Sequence, residues 1–196
     1  MAGNQNTKVI TGEVRLSYVH LFEKYAQNEG QEPKYSCVIL VPKSDRKTIK
    51  AIKAAQQAAL ENGKSSKFGG RIPTNWKNTF RDGDTDDAVD HERNPEYKGH
   101  MFMTVSSTQQ PGIVDRKVQD ILDSREVYSG MYARVSINAF PFNTQGNKGV
   151  SFGLNHVQKL RDGEPLGGRS RADDDFDELD DEDEEYGDDY DDDDVV

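Results

Sequence analysis

VYSGMYARVSINAFPFN, residues 127–143, alternates as a β-strand does, and its two faces differ in kind. Val127, Ser129, Met131, Ala133, Val135, Ile137 and Ala139 form a small, apolar face suited to the interior of a closed sheet. Tyr128, Gly130, Tyr132, Arg134, Ser136, Asn138, Phe140 and Phe142 form the other. A row of rings facing solvent is unfavourable unless something covers it. Nucleobases can cover it, at about 1–3 kcal/mol per stacked base and without regard to sequence, while arginine and lysine follow the phosphates. A second core layer is the competing use of the same rings, above all for Phe140 and Phe142 at the bend around Pro141.

The segments around this strand complete a small mainly β domain. VSFGLNHVQKL follows across a turn at NTQGNKG and is its hairpin partner. YSCVILVP (35–42) is apolar at nearly every position, as in a strand buried on both faces, and HMFMTVSS is another strand, with Phe102 outward. In KVITGEVRLSYV, alternation points Val14, Leu16 and Tyr18 one way and Glu13, Arg15 and Ser17 the other. HLFEKYAQNEGQE is expected as a helical turn or loop, PGIVD as a turn and VQDILDS as a short helix. The clearest helix is SDRKTIKAIKAAQQAALENG, capped by Ser44 or Asp45, apolar along Ile49, Ile52, Ala55 and Ala59, and stopped by Gly63. Lys47, Lys50 and Lys53 give it a basic edge. The fold expected is a five-stranded OB-fold barrel with elaborated loops, an inserted α-helix and a disordered acidic C-terminal tail. Its parts are a flexible N-terminus (1–7), a binding domain (8–165), a linker (166–172) and the tail (173–196).

Charge divides the chain. The whole carries 25 Lys+Arg and 36 Asp+Glu, a net of −11. Residues 173–196 hold 17 of the acids and none of the bases, so residues 1–172 carry a net of +6. A basic body with an acidic appendage points to a polyanionic partner. The lone cysteine, Cys37, sits in an apolar run and suits a reducing compartment. MAGNQNTK lacks an apolar signal core and no run reaches about 18 apolar residues, so a cytoplasmic protein with no membrane partner is expected.

Catalytic and metal motifs fail on inspection. GKS (63–65) lacks the glycine five residues before its own that a phosphate loop needs, since Ala58 stands there. DGDTDDAVDHER has Asp87 where a calcium loop needs glycine and Arg93 where it needs glutamate. His20, His91, His100 and His156 are scattered. A nuclease using Asp82, Asp84 and Asp87 with magnesium is the remaining enzymatic alternative. An acidic-tailed chaperone or interaction protein is the other rival. No catalytic residue, metal site or cofactor is expected.

RDGD (81–84), YKGHMFMTVSS (97–107), PGIVD (111–115), EVYSGMYARVSINAFPFN (126–143) and GNKGVSFGLNHVQKLRDGEPLGGR (146–169) resemble one family. It is that of the phage and prophage single-stranded-DNA-binding proteins with an oligonucleotide-binding barrel. The resemblance spans residues 8–169. It implies sequence-independent binding to single strands and a role in phage DNA replication, recombination or repair within a bacterial host. The acidic tail is similar to those of bacterial and T7-like single-strand binders, which finish in an aromatic residue where this chain has Val195 and Val196.

From the alternation and the long loop at 64–99, the expected DNA contacts are Trp76, Lys77, Arg81, Phe102, Tyr128, Tyr132, Arg134, Phe140, Phe142 and Lys148. RNA is a second candidate ligand, because stacking platforms accept both. The tail is expected to compete with DNA for the binding groove and, when released, to recruit replication or recombination proteins. Asp191, Asp192, Asp193 and Asp194 would supply charge to that contact, and Val195 and Val196 the apolar anchor. A homo-oligomer is compatible with the sequence.

Overall fold

The computed structural model describes residues 6–167; the acidic segment, including Asp191–Asp194, Val195 and Val196, lies outside the described residues. In order, the elements are β1 (Lys8–Ile10), β2 (Val14–Tyr25), β3 (Lys34–Pro42), α1 (Arg46–Ser66), β4 (Lys77–Asn78), β5 (Arg81–Asp82), β6 (His100–Ser107), β7 (Gly112–Val114), β8 (Tyr132–Thr144) and β9 (Asn147–Arg161). No described helix is long and apolar enough to cross a membrane.

Five strands close on themselves. β8 pairs with β2, β2 with β3, β3 with β6 and β9 with β8, all antiparallel. A parallel contact at Ser106 and Gly153 joins β6 to β9 and completes the circuit. This is the expected mainly β, OB-like fold, with α1 inserted between β3 and β6. The long hairpin β8–β9 turns at Gln145 and Gly146, both at positive φ (52° and 85°), as a two-residue turn requires.

The alternation of β8 predicts its burial. Ala133, Val135, Ile137 and Ala139 line the interior with Val14, Leu16, Ile39, Met103, Val105, Phe152 and Leu154. Cys37 to Val41 are all buried, as a doubly covered strand should be, and the Cys37 thiol is pushed up to about 12 by that burial. Asp45 caps α1, its carboxylate accepting from the Thr48 amide at 3.1 Å. The helix does not stop at Gly63 but runs on to Ser66. Gly63 instead lets the helix touch β8, because a Cβ there would lie 2.5 Å from Cβ of Pro141.

Three local expectations differ from the structure. Residues 20–25 continue β2 rather than forming a helical turn. Residues 112–114 form β7 against β9, not a turn. The only helical geometry near VQDILDS is a single 3-10 turn at Ser124–Glu126, and the Val114–Asp120 bridge explains why: the segment doubles back on β7.

Candidate nucleic-acid interface

The outer faces of β2, β3 and β6 form the floor of a cleft of about 630 Å³. Its geometry begins with a break in alternation. Leu16 and Ser17 are both buried, and Tyr18 follows at φ 47° and is 54% exposed. The register with β3 shifts between Ser17 and His20, so a bulge turns Tyr18 outward where strict alternation would place it inside. A tyrosine at positive φ carries local strain, which collects at functional positions.

Beyond the bulge, His20 and Tyr25 stack with ring centroids 4.1 Å apart and planes 8° from parallel. Tyr25 is 48% exposed. Partial burial holds His20 below the ordinary histidine range, which favours the neutral ring. Lys34, Ser36, Thr104 and Ser106 add polar groups to the same cleft, while Lys24 lies over the Tyr35 ring at 5.7 Å outside its lining. The arrangement offers exposed rings for bases and long cations for phosphates.

One wall is the segment 83–97. Tyr97 meets Phe102 edge-on at 4.9 Å, in a small cluster with Val38 and Leu40 on the outside of the ring. The Tyr18 hydroxyl donates to Oδ1 of Asn94 at 2.8 Å, tying this wall to the floor. At its base Lys43 contacts Asp82 and Asp84, each at 2.6 Å. Those bonds hold both carboxyls below the usual carboxylate range and raise the Lys43 ammonium. Asp84 also accepts from the Gly99 amide. Asp82 and Asp84 thus serve as a loop clasp, and the described residues contain no cluster of three metal-ligating side chains.

The residues expected from the sequence fall in four places. Arg81 and Phe102 line the cleft, but Phe102 is buried under Tyr97, with the Arg81 guanidinium 4.7 Å from its ring centroid and Asp86 3.2 Å from Arg81. Tyr128 and Tyr132 lie where β8 begins. The Tyr128 hydroxyl bonds Asp162 and the Gly163 carbonyl, and Tyr132 is flanked by Arg15 (5.5 Å) and Arg161 (3.7 Å). Arg134 lines a separate shallow cleft with Ile10, Val118 and His156. Lys77 and Phe142 meet at Gly149 beside the β8–β9 hairpin, next to Lys148; half-buried Trp76 packs on the core nearby. Phe140 is 42% exposed on the same strand. Cleft residues absent from the expected set include Tyr18, His20, Tyr25 and Lys34. Rings and lysines interleaved between positions 18 and 35 were the available signal.

The family model described as the ssDNA-binding protein of Enterobacter phage Enc34 matches residues 7–186. Putative protein p50 of Acyrthosiphon pisum secondary endosymbiont phage 1 is 32% identical over 181 residues, covering 88% of this chain and 94% of its own. The structure of the single-stranded DNA-binding protein of bacteriophage Enc34 in complex with ssDNA is similar, with a TM-score of 0.68 and 25% identity over 82% of this chain and 90% of that one. In fold alone, the single-stranded DNA binding protein gp2.5 of bacteriophage T7 is also similar, at a TM-score of 0.54 and 14% identity over 85% and 98% of the two chains. The chain belongs to the Enc34 ssDNA-binding protein family.

Proposed function

We propose that this member of the family is a sequence-tolerant, non-enzymatic single-stranded-DNA-binding protein whose DNA lies along the β2–β3–β6 cleft. The observation that carries this reading is the row of outward rings on that face: Tyr18 exposed by a bulge, and Tyr25 exposed beside His20. Bases stack on such rings only when unpaired, so duplex DNA is disfavoured. Lys34 and Arg81 stand where phosphates would run. The ring-and-cation groups near the β8–β9 hairpin and at the start of β8 would extend the track. The biological role is to coat and protect strands exposed during phage DNA replication, recombination or repair in the bacterial host cell. Residues 8–165 act as the binding domain, and the acidic segment 173–196 recruits replication or recombination proteins.

The test is a fluorescence titration of oligothymidine, a mixed-sequence single strand, the corresponding duplex and RNA. Similar affinity for the two DNA single strands, with much weaker duplex binding, is expected, and Tyr25→Ala should weaken both single-strand complexes. Duplex binding as tight as single-strand binding, or cleavage of labelled oligonucleotide with magnesium, would overturn the reading.

A further inference from the structure

Tyr97 carries a hydroxyl that the fold does not use. It ends the short 3-10 turn Pro95–Tyr97 and is only 6% exposed. Its ring packs edge-on against Phe102, beside Val38 and Leu40, so a phenylalanine would fill the same space. Among the described residues the hydroxyl has no hydrogen-bond partner, whereas every fully buried side-chain nitrogen and oxygen has one. The Tyr97 oxygen is therefore open to solvent, and it opens into the cleft that Tyr97 lines. A polar group kept in an apolar cluster, with no bond inside the protein, suits a partner from outside.

The surrounding loop fixes where that group points. Gly83 leaves room for the turn, since a Cβ there would collide with the Tyr97 carbonyl. Asn94, at the start of the turn, accepts from the Tyr18 hydroxyl through Oδ1 at 2.8 Å. That bond uses the Tyr18 proton and leaves the Tyr18 oxygen able to accept. Tyr18, Asn94 and Tyr97 line the same cleft as half-buried Val89 and exposed Arg81. Burial, the neighbouring Tyr18 hydroxyl and the Glu96 carboxylate raise the pKa of Tyr97, and Arg81 opposes them. The Tyr97 hydroxyl thus keeps its proton through the neutral range and can donate as well as accept.

We propose that the Tyr97 hydroxyl hydrogen-bonds the base edge of one unpaired nucleotide, in a seat formed with Tyr18 and Val89. This contact rests on the reading of the cleft as the DNA site and adds what touches the base there. The pairing edge of every base carries a donor beside an acceptor. In adenine and cytosine these are an amino group and a ring nitrogen; in thymine and guanine, a ring N–H and a carbonyl. A hydroxyl that donates, near one that accepts, matches each of these edges and distinguishes none. In a duplex the same edge is already occupied, so the contact selects for single strands. A phosphate suits this oxygen less well, because the Glu96 carboxylate beside it repels an anion and not a neutral base.

Full-length Tyr97→Phe tests the proposal, because the ring and its packing stay and only the hydroxyl goes. Fluorescence titrations compare it with the parent on oligothymidine, oligodeoxycytidine and an abasic strand of equal length. Affinity for both base-bearing strands should fall about three- to tenfold, the worth of one hydrogen bond. Affinity for the abasic strand, which keeps the phosphates and lacks the bases, should not change. The melting temperature should stay level or rise, since no bond within the protein is lost. Unchanged affinity for oligothymidine overturns the proposal, as does a loss on only one of the two base-bearing strands. An equal loss on the abasic strand would make the contact one to phosphate, and a lower melting temperature would make the hydroxyl structural; either result overturns it as well. Failure of the DNA-binding reading is distinct, because it shows in the parent protein as equal binding of single strand and duplex.

Discussion

Tyr18 faces outward because of one backbone angle. Left-handed geometry at a residue with a Cβ costs roughly 1–2 kcal/mol, and here it aims a ring into the cleft. Tyr18→Gly should relieve that strain and Tyr18→Ala should retain it, while both lose the ring and its bond to Asn94. Glycine is therefore expected to melt at or above alanine, with both binding oligothymidine about 1–3 kcal/mol more weakly than the parent. Calorimetry and fluorescence titration measure the two properties separately. Phe102→Ala should behave differently: that ring is buried under Tyr97 and Arg81, so the dominant loss is stability, about 3–5 kcal/mol. His20 supplies a pH test. Its folded pKa lies below its unfolded value, so its contribution to stability is complete above the unfolded value near 6.5 and declines as pH falls through that region. His20→Asn should lessen the drop in melting temperature between pH 7 and 5; an unchanged drop would show that His20 is not its source.

Among the elements, β3, α1, β8 and β9 were legible because their periodicity is local. The interior face of β8 follows from its alternation alone, and Ala133, Val135, Ile137 and Ala139 are all buried. β2 was legible only as far as Leu16, because the bulge at Ser17–Tyr18 depends on pairing with β3 rather than on residue type. The cleft was least legible. Alternation shows which side of a strand faces outward, not what covers it, and loop 83–97 covers Phe102 while leaving Tyr25 open. Gly63 shows the same limit. A glycine near a helix end suggests a stop, whereas its task here is contact with Pro141. Alanine within a helix is ordinarily favoured over glycine by about 1 kcal/mol. At position 63 its Cβ would meet a rigid ring at 2.5 Å, so Gly63→Ala should lower the melting temperature; a rise would show that α1 shifts freely on β8.

On the scale of the whole molecule, the division of charge governs how binding should respond to salt. The body of net +6 attracts a nucleic-acid strand, while the 17 carboxylates of residues 173–196 repel it. Deleting residues 173–196 should change affinity for oligothymidine little at about 0.15 M salt, where charges beyond about 8 Å are largely screened. At about 0.01 M the screening length approaches 30 Å, and removal of the repulsive field should tighten binding. In both proteins the logarithm of the affinity should fall with the logarithm of the salt concentration, by about 0.7 for each phosphate neutralised on a single strand. Lys34→Ala and Arg81→Ala should each reduce that slope if their cations meet phosphates in the cleft. Lys47→Ala and Lys50→Ala, on α1 and outside the cleft lining, should leave it unchanged. Fluorescence titrations from about 0.05 to 0.3 M salt determine every slope. A reduced slope in the helix variants, with none in the cleft variants, would move the phosphate track from the β2–β3–β6 cleft to α1.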